Sequence, residues 1–257
     1  MPGFEEDRDY FEENSGGTKA KKLKPSRSVS DSTSIVNFAK VFLYMFAYIA
    51  ITAAVAFGLG YIISTSYVNS GASEEIPTIY LGLLIGSAIA LLIMMLVINF
   101  IVIRGKHSVL VPSIIYSVLV GVLFSALTIF VDWKIMGMAF GITAGIFLIM
   151  TLIATFTRGN MSPLAMMAMG LFLGSGILVL VNLFIGSSTI YWVITFAIFA
   201  AIMFITMFDI WNVKKITENR QEDKNISYYC AFIMYVDFIN IFLRILYFLL
   251  IIFGNKK

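Results

Sequence analysis

Three ionisable side chains, Asp209, Asp237 and Arg244, lie inside apolar stretches that are long enough to cross a membrane. An ion at the centre of a spanning helix costs roughly 2.5–3.5 kcal/mol on insertion scales. Such groups therefore face the interior of a helix bundle, where they pair or mark a path for ions or protons. Asp237 and Arg244 are seven residues apart, which places them on one helix face about 10 Å apart along the axis.

Asp209 lies in the preceding apolar stretch, near its end, in the run "MFDIWNVKK". Consecutive spanning helices joined by a short loop run antiparallel, and this would bring Asp209 and Asp237 to a similar depth. The spacing also allows a plainer role, in which Asp209 caps the end of its helix or pairs with Lys214 or Lys215.

The composition identifies an integral membrane protein. Of the 257 residues, 60% are hydrophobic and only 13% are charged, whereas soluble domains carry about 25% charged residues. The net charge of +3 is too small to indicate nucleic-acid binding. The single cysteine, Cys230, excludes an intrachain disulfide and a cysteine-cluster metal site.

Seven apolar runs have the length of about 20 residues that a spanning helix needs. We predict an all-α membrane protein, a seven-transmembrane-helix bundle over residues 35–254, behind a disordered cytoplasmic tail over residues 1–34. The tail is acidic, then basic, then rich in serine, with few apolar residues to bury. The predicted spans are 36–64, 78–103, 109–131, 136–157, 163–186, 189–211 and 227–253.

Lysine and arginine residues predict the orientation, because they accumulate in cytoplasmic loops. The tail and the loops after the second, fourth and sixth spans carry most of them, including Arg158 and four cations between residues 212 and 226. The opposite loops carry almost none. The N-terminus is therefore expected inside and the C-terminus outside.

Glycines in the fourth and fifth spans recur at a spacing of four, which places them on one stripe of each helix. Small residues on a stripe allow helix backbones to approach closely within lipid. We therefore expect these stripes to be helix-packing faces. The residues are Gly137, Gly141, Gly145, Gly170 and Gly174.

The residues that catalysis would need are missing, so we expect no enzyme and no cofactor. A membrane serine protease needs a histidine inside the bundle, but the one histidine, His107, falls in a short loop. A retinal protein needs a lysine in the last helix for its Schiff base, and the seventh span has none.

Two motifs and three further stretches together resemble the Bax inhibitor-1 family. The motifs are "FDIWNVKKI" (208–216) and "YVDFINIFLRIL" (235–246), each built around an aspartate. The similarity covers about residues 35–254. The further stretches are "FGITAGIF" (140–147), "TRGNMSPL" (157–164) and "NLFIG" (182–186).

The resemblance implies a bundle in which the other helices surround the last one, acting as a pH-sensitive calcium leak. It assigns Asp209 and Asp237 to the carboxylate pair that senses protons and contacts Ca²⁺, the transported ion. It assigns Arg104 to a positive lock on that pair and Arg244 to a charge partner. The chain departs from the family at Val120, where many members carry a glutamate. The absence of that glutamate bears on how strongly calcium binds.

A mechanism follows as a hypothesis. Two neighbouring carboxylates hold one shared proton more cheaply than two negative charges. The shared proton would join the sixth and seventh helices and close the path. Loss of the proton would leave charges that repel or bind a hard cation such as Ca²⁺.

A competing hypothesis is a non-conducting regulator. The family is associated with suppression of cell death and, in bacteria, with modulation of a membrane quality-control protease, so a membrane protease or another membrane protein would be the partner. In that case the aspartates only hold the bundle together. Under either hypothesis we expect a multi-pass protein of the lipid bilayer, in a bacterial cell membrane.

Overall fold

The computed structural model describes residues 31–70, 78–104, 108–219 and 224–253. Seven α-helices account for nearly all of these residues, and no β-strand occurs among them. Each helix is long and apolar enough to cross a membrane, which confirms the predicted fold class. The helices are α1 (Asp31–Ser70), α2 (Thr78–Arg104), α3 (Leu110–Phe130), α4 (Trp133–Phe156), α5 (Ser162–Ile185), α6 (Ser188–Asn219) and α7 (Lys224–Phe253).

Local signals end the helices where the chain must turn. Between α3 and α4, Val131 is extended and the Asp132 side chain accepts a hydrogen bond of 2.9 Å from the Lys134 amide. This is the N-cap interaction that satisfies a free amide at a helix start. The helix α5 ends at Gly186, whose φ of 66° is the left-handed conformation that glycine adopts at helix ends.

The last helix lies in the middle of the bundle. The main neighbours of α7 are α1, α3, α4 and α6, whereas α2 packs mainly on α3 and α5 on α6. Twelve residues of α7 are buried, the longest such series of any helix described. The arrangement agrees with a central last helix, as the family resemblance implies.

Ring contacts give the relative directions of the helices. Tyr44 and Tyr48 of α1 pack in order against Tyr228 and Tyr235 of α7, so these two helices run parallel. Tyr116 and Phe124 of α3 pack in the same order on Phe232 and Phe242 of α7. The helices α1, α3 and α7 therefore run in one direction.

The helix α6 runs against this group. Tyr191, near the start of α6, contacts Tyr247 near the end of α7, while Asp209 lies farther along α6 beside the first half of α7. Alternating directions are those expected of seven consecutive spans joined by short connections.

Two helices extend past the bounds of the predicted spans. The connection placed at 212–226 is mostly helical, because α6 continues to Asn219 and α7 begins at Lys224. These polar turns need no hydrocarbon around them, and Lys214 and Glu218 support them as an i,i+4 pair at 3.8 Å. The helix α1 begins at Asp31, inside the range assigned to the tail. Residues 1–30 lie outside the described residues.

The expectation that the glycine stripes of α4 and α5 are packing faces was wrong. A Cβ atom added at Gly137, Gly141, Gly145, Gly170 or Gly174 would have no neighbouring atom within 4 Å. The close approach occurs between α1 and α3, where a Cβ on Gly121 would lie 2.8 Å from the Thr52 carbonyl oxygen. Gly60 of α1 lies at the same interface, against Thr128 of α3, so the tight contact is marked by one glycine on each helix and not by a spaced series.

Candidate functional site

A buried carboxyl group, that of Asp237, lies midway along the central helix. Only 6% of Asp237 is exposed, and Met234 and Ile241, one turn away on either side, are fully buried. Its Oδ2 atom is buried without a hydrogen-bond partner among the described residues. An unpartnered polar atom in an apolar setting is costly. A group kept at this cost is a candidate for function.

Asp209 of α6 is a charged group that interacts electrostatically with Asp237. Asp209 is half-buried. Its carboxyl group interacts electrostatically with the carboxyl group of Asp237 and with the hydroxyl group of Tyr229, which both lie on α7. Charges interact far more strongly in a site of low polarity than in water. The structure therefore brings together the two aspartates singled out in the sequence.

The plainer roles for Asp209 find no support. The helix α6 continues from Asp209 to Asn219, so Asp209 does not cap its end. Lys214 instead donates a hydrogen bond to the Thr155 carbonyl oxygen and lies near Glu218. Lys215 lies over the ring of Trp211, with Nζ 3.8 Å from the ring centroid.

The structure describes the side chain of Arg244 but not that of Arg104. Arg244 is half-buried two turns beyond Asp237 and interacts electrostatically with Tyr247. Across the described part of the chain, no ion pair joins Arg244 to Asp237 or Asp209. Arg104 is the last residue of α2, but its side chain lies outside what the structure describes. Its role as a lock stays a prediction.

Sequence reasoning missed a buried hydroxyl one helix turn from Asp209. Thr206 lies one turn before Asp209 on α6, is fully buried, and its Oγ1 atom has no hydrogen-bond partner within the described residues. The available signal was a threonine three residues before an aspartate in an apolar run, which places both on neighbouring positions of one face. Thr206 thus adds a buried oxygen atom to the face of α6 that carries Asp209.

The described residues near Asp209 and Asp237 do not form a complete site for a bound metal ion. No group of three or more His, Cys, Asp or Glu residues that could hold a metal ion occurs in the ranges described. Ca²⁺ takes six to eight oxygen ligands in tight sites. Two carboxyl groups and one hydroxyl would supply only part of such a shell.

The fold is that of a seven-helix integral membrane protein, in which acidic side chains of the sixth and seventh helices interact electrostatically. The family model described as "Inhibitor of apoptosis-promoting Bax1" matches residues 36–255. The chain therefore belongs to the Bax inhibitor-1 family, which confirms the resemblance seen in the sequence.

Relatives are found in bacteria. The chain is 28% identical over 195 residues to "Inner membrane protein YbhL" of Escherichia coli (strain K12), covering 74% of this chain and 82% of the relative. It is 34% identical over 143 residues to an "Uncharacterized protein" of Borreliella burgdorferi, covering 53% of this chain and 60% of the relative. No solved structure matches the chain.

Proposed function

We propose that this protein is a pH-sensitive calcium leak, gated by the carboxyl groups of Asp209 and Asp237. The observation that carries the proposal is the Asp237 side chain, which is buried on the central helix with an unpartnered oxygen and interacts electrostatically with a second carboxyl group. An aspartate kept only for packing would be expected to have its oxygens bonded.

Proton exchange at the pair supplies the gate. With one shared proton, the carboxyl groups attract each other and hold α6 against α7. Without it, two negative charges repel, and the helices separate or admit a divalent cation between them. Leak should therefore increase as pH rises.

The charged groups around Asp209 and Asp237 are consistent with a leak that increases as pH rises. Tyr229 is a further titratable side chain that interacts with Asp209. Lys214 and Lys215 make their contacts elsewhere, and Arg244 is two turns away. Proton loss in this region of α6 and α7 is therefore compensated mainly by the permeating cation or, in our proposal, by Arg104.

A regulatory function is the second candidate, and the family description favours it, since it names an inhibitor of a cell-death protein. As a regulator the chain would conduct no ions and would act on a membrane protease or another membrane protein. For either function we propose no catalytic step and no cofactor, and a bacterial cell membrane as the location, in keeping with the named bacterial relative.

Flux through the purified protein separates the two. The full chain is reconstituted into liposomes that contain a calcium-sensitive dye, and calcium is added outside at about pH 6 and about pH 8. A leak predicts dye signal above protein-free liposomes, greater at the higher pH. Retention of a co-trapped large solute controls for ruptured vesicles. A dye signal equal to that of protein-free liposomes at both pH values would contradict the leak and favour the regulatory function.

A further inference from the structure

An apolar cavity of about 440 Å³ lies between α1 and α4, with α7 as its floor. We call it the lateral groove. Its volume falls within the range of roughly 300–1,000 Å³ typical of small-molecule sites. Its main walls are Ala53 and Phe57 of α1, Gly137 and Phe140 of α4, and Phe238 and Phe242 of α7.

The lining carries no charge. Its hydroxyl group is that of Thr52, and this group is already engaged, since it donates to the Ser117 carbonyl oxygen and lies 2.6 Å from the Tyr235 hydroxyl. The groove therefore offers almost nothing to a polar ligand. An occupant must be bound by contact with apolar surface alone.

The groove is continuous with the surface that contacts lipid. Its rim residues Phe57, Phe140 and Trp133 are 55%, 44% and 74% exposed, and all three lie in membrane-spanning helices. Exposed apolar side chains of an integral membrane protein contact acyl chains. An acyl chain can therefore enter the groove from the bilayer without crossing water.

We propose that the lateral groove binds one acyl chain of a membrane phospholipid. Trp133 lines the groove and is the first residue of α4. Tryptophan is enriched at the membrane interface, so we place this end of the groove there. The chain would run from there along Gly137 to Phe238 and Phe242. The acyl chain would thus contact α7 at Phe238, the residue that follows Asp237.

Gly137 is the position that leaves room for the acyl chain. A Cβ there would have no atom within 4 Å, so a leucine would extend into the groove without displacing a neighbouring helix. Gly145, two turns farther along α4, also has open space around it and does not line the groove. Gly145→Leu is therefore a matched control for Gly137→Leu.

The test uses a phosphatidylglycerol with a photoreactive diazirine on one acyl chain, in liposomes that contain the full chain. After illumination, mass spectrometry locates the labelled residues. Phe238 and Phe242 are only 3% and 6% exposed, so lipid reaches them only through the groove. Leu92 and Leu96 of α2, 70% and 71% exposed, report ordinary surrounding lipid.

We expect label on Phe238 or Phe242 in the wild type and in Gly145→Leu, and a several-fold loss of it in Gly137→Leu. Label on Leu92 and Leu96 should be equal in all three proteins, which also shows that each variant is inserted. Absence of label from α7 in the wild type would overturn the proposal, as would equal α7 label in Gly137→Leu. A groove filled by a second copy of the chain would give the first of these results.

Discussion

The Tyr235 hydroxyl of α7 lies 2.6 Å from Oγ1 of Thr52 on α1, inside the bundle and two residues before Asp237. Thr52 has one hydroxyl proton, and it donates this to the Ser117 carbonyl oxygen of α3 at 3.0 Å. Tyr235 is therefore the donor to Thr52. Two hydrogen bonds thus connect the central helix to α1 and α1 to α3.

This order of donors predicts unequal costs for two substitutions. Thr52→Val removes the Thr52 acceptor of the buried Tyr235 hydroxyl, which then has only the Ser117 side chain beside it, and should lower the free energy of unfolding by about 1–3 kcal/mol. Tyr235→Phe leaves the bond from Thr52 to Ser117 in place and should cost less, about 1 kcal/mol.

Denaturation in detergent micelles measures both, and the double variant is the control. Because the two residues share one bond, the double variant should cost less than the sum of the single ones. Equal single costs that add in full would contradict the assigned donor.

The second prediction concerns the contact between α1 and α3 at Gly121. A Cβ there would lie 2.7 Å from Cβ of Val55 and 2.8 Å from the Thr52 carbonyl oxygen, so Gly121→Ala must push the helices apart. Overpacking of this kind costs about 1–3 kcal/mol. Gly145→Ala, with open space around it, is the control and should be neutral or slightly stabilising because alanine favours helix. Thermal denaturation of both variants would show the difference, and equal melting temperatures would contradict the close approach.

The seven spans could be predicted from the sequence because each needs only a run of apolar residues, a local property. The pairing of Asp209 with Asp237 was accessible for a related reason, since a charge in an apolar span must face the interior. The tight contact at Gly121 could not be predicted from the sequence. In lipid both sides of a helix are apolar, so hydrophobicity does not distinguish the packed side from the lipid side.

The lateral groove and the burial of the Thr206 hydroxyl could not be predicted from the sequence for a different reason. Each depends on how three or four helices separated in the chain meet. The end of α6 was missed because a polar helix that continues past the membrane has the composition of a loop.

The third prediction concerns orientation, which the basic loops predict. Single cysteines at Ser188 and Asn219, the two ends of α6, should react with a membrane-impermeant thiol reagent from opposite sides, Asn219 from the cytoplasm. Cys230 is fully buried, so the unmodified protein should give no background. Labelling of both positions from one side would contradict a spanning α6.

The fourth prediction concerns Arg104. If its positive charge neutralises the aspartate pair, Arg104→Ala should raise calcium flux mainly at the higher pH, where the pair has lost its shared proton and the uncompensated charges repel. Arg104→Lys keeps the charge and should restore most of the closure. Flux through Arg104→Ala equal to that of the wild type would remove Arg104 from the gate while leaving the pair itself in place.

The measurement that tests the central claim most directly is calcium flux into liposomes between about pH 6 and about pH 8 for Asp209→Asn, Asp237→Asn and the double variant. Asparagine has the shape of a protonated aspartate but cannot ionise. Each single variant should therefore lose the rise of flux with pH while remaining folded. The double variant should add little, because the two groups act as a unit. Wild-type pH profiles in both single variants would contradict a gate formed by Asp209 and Asp237.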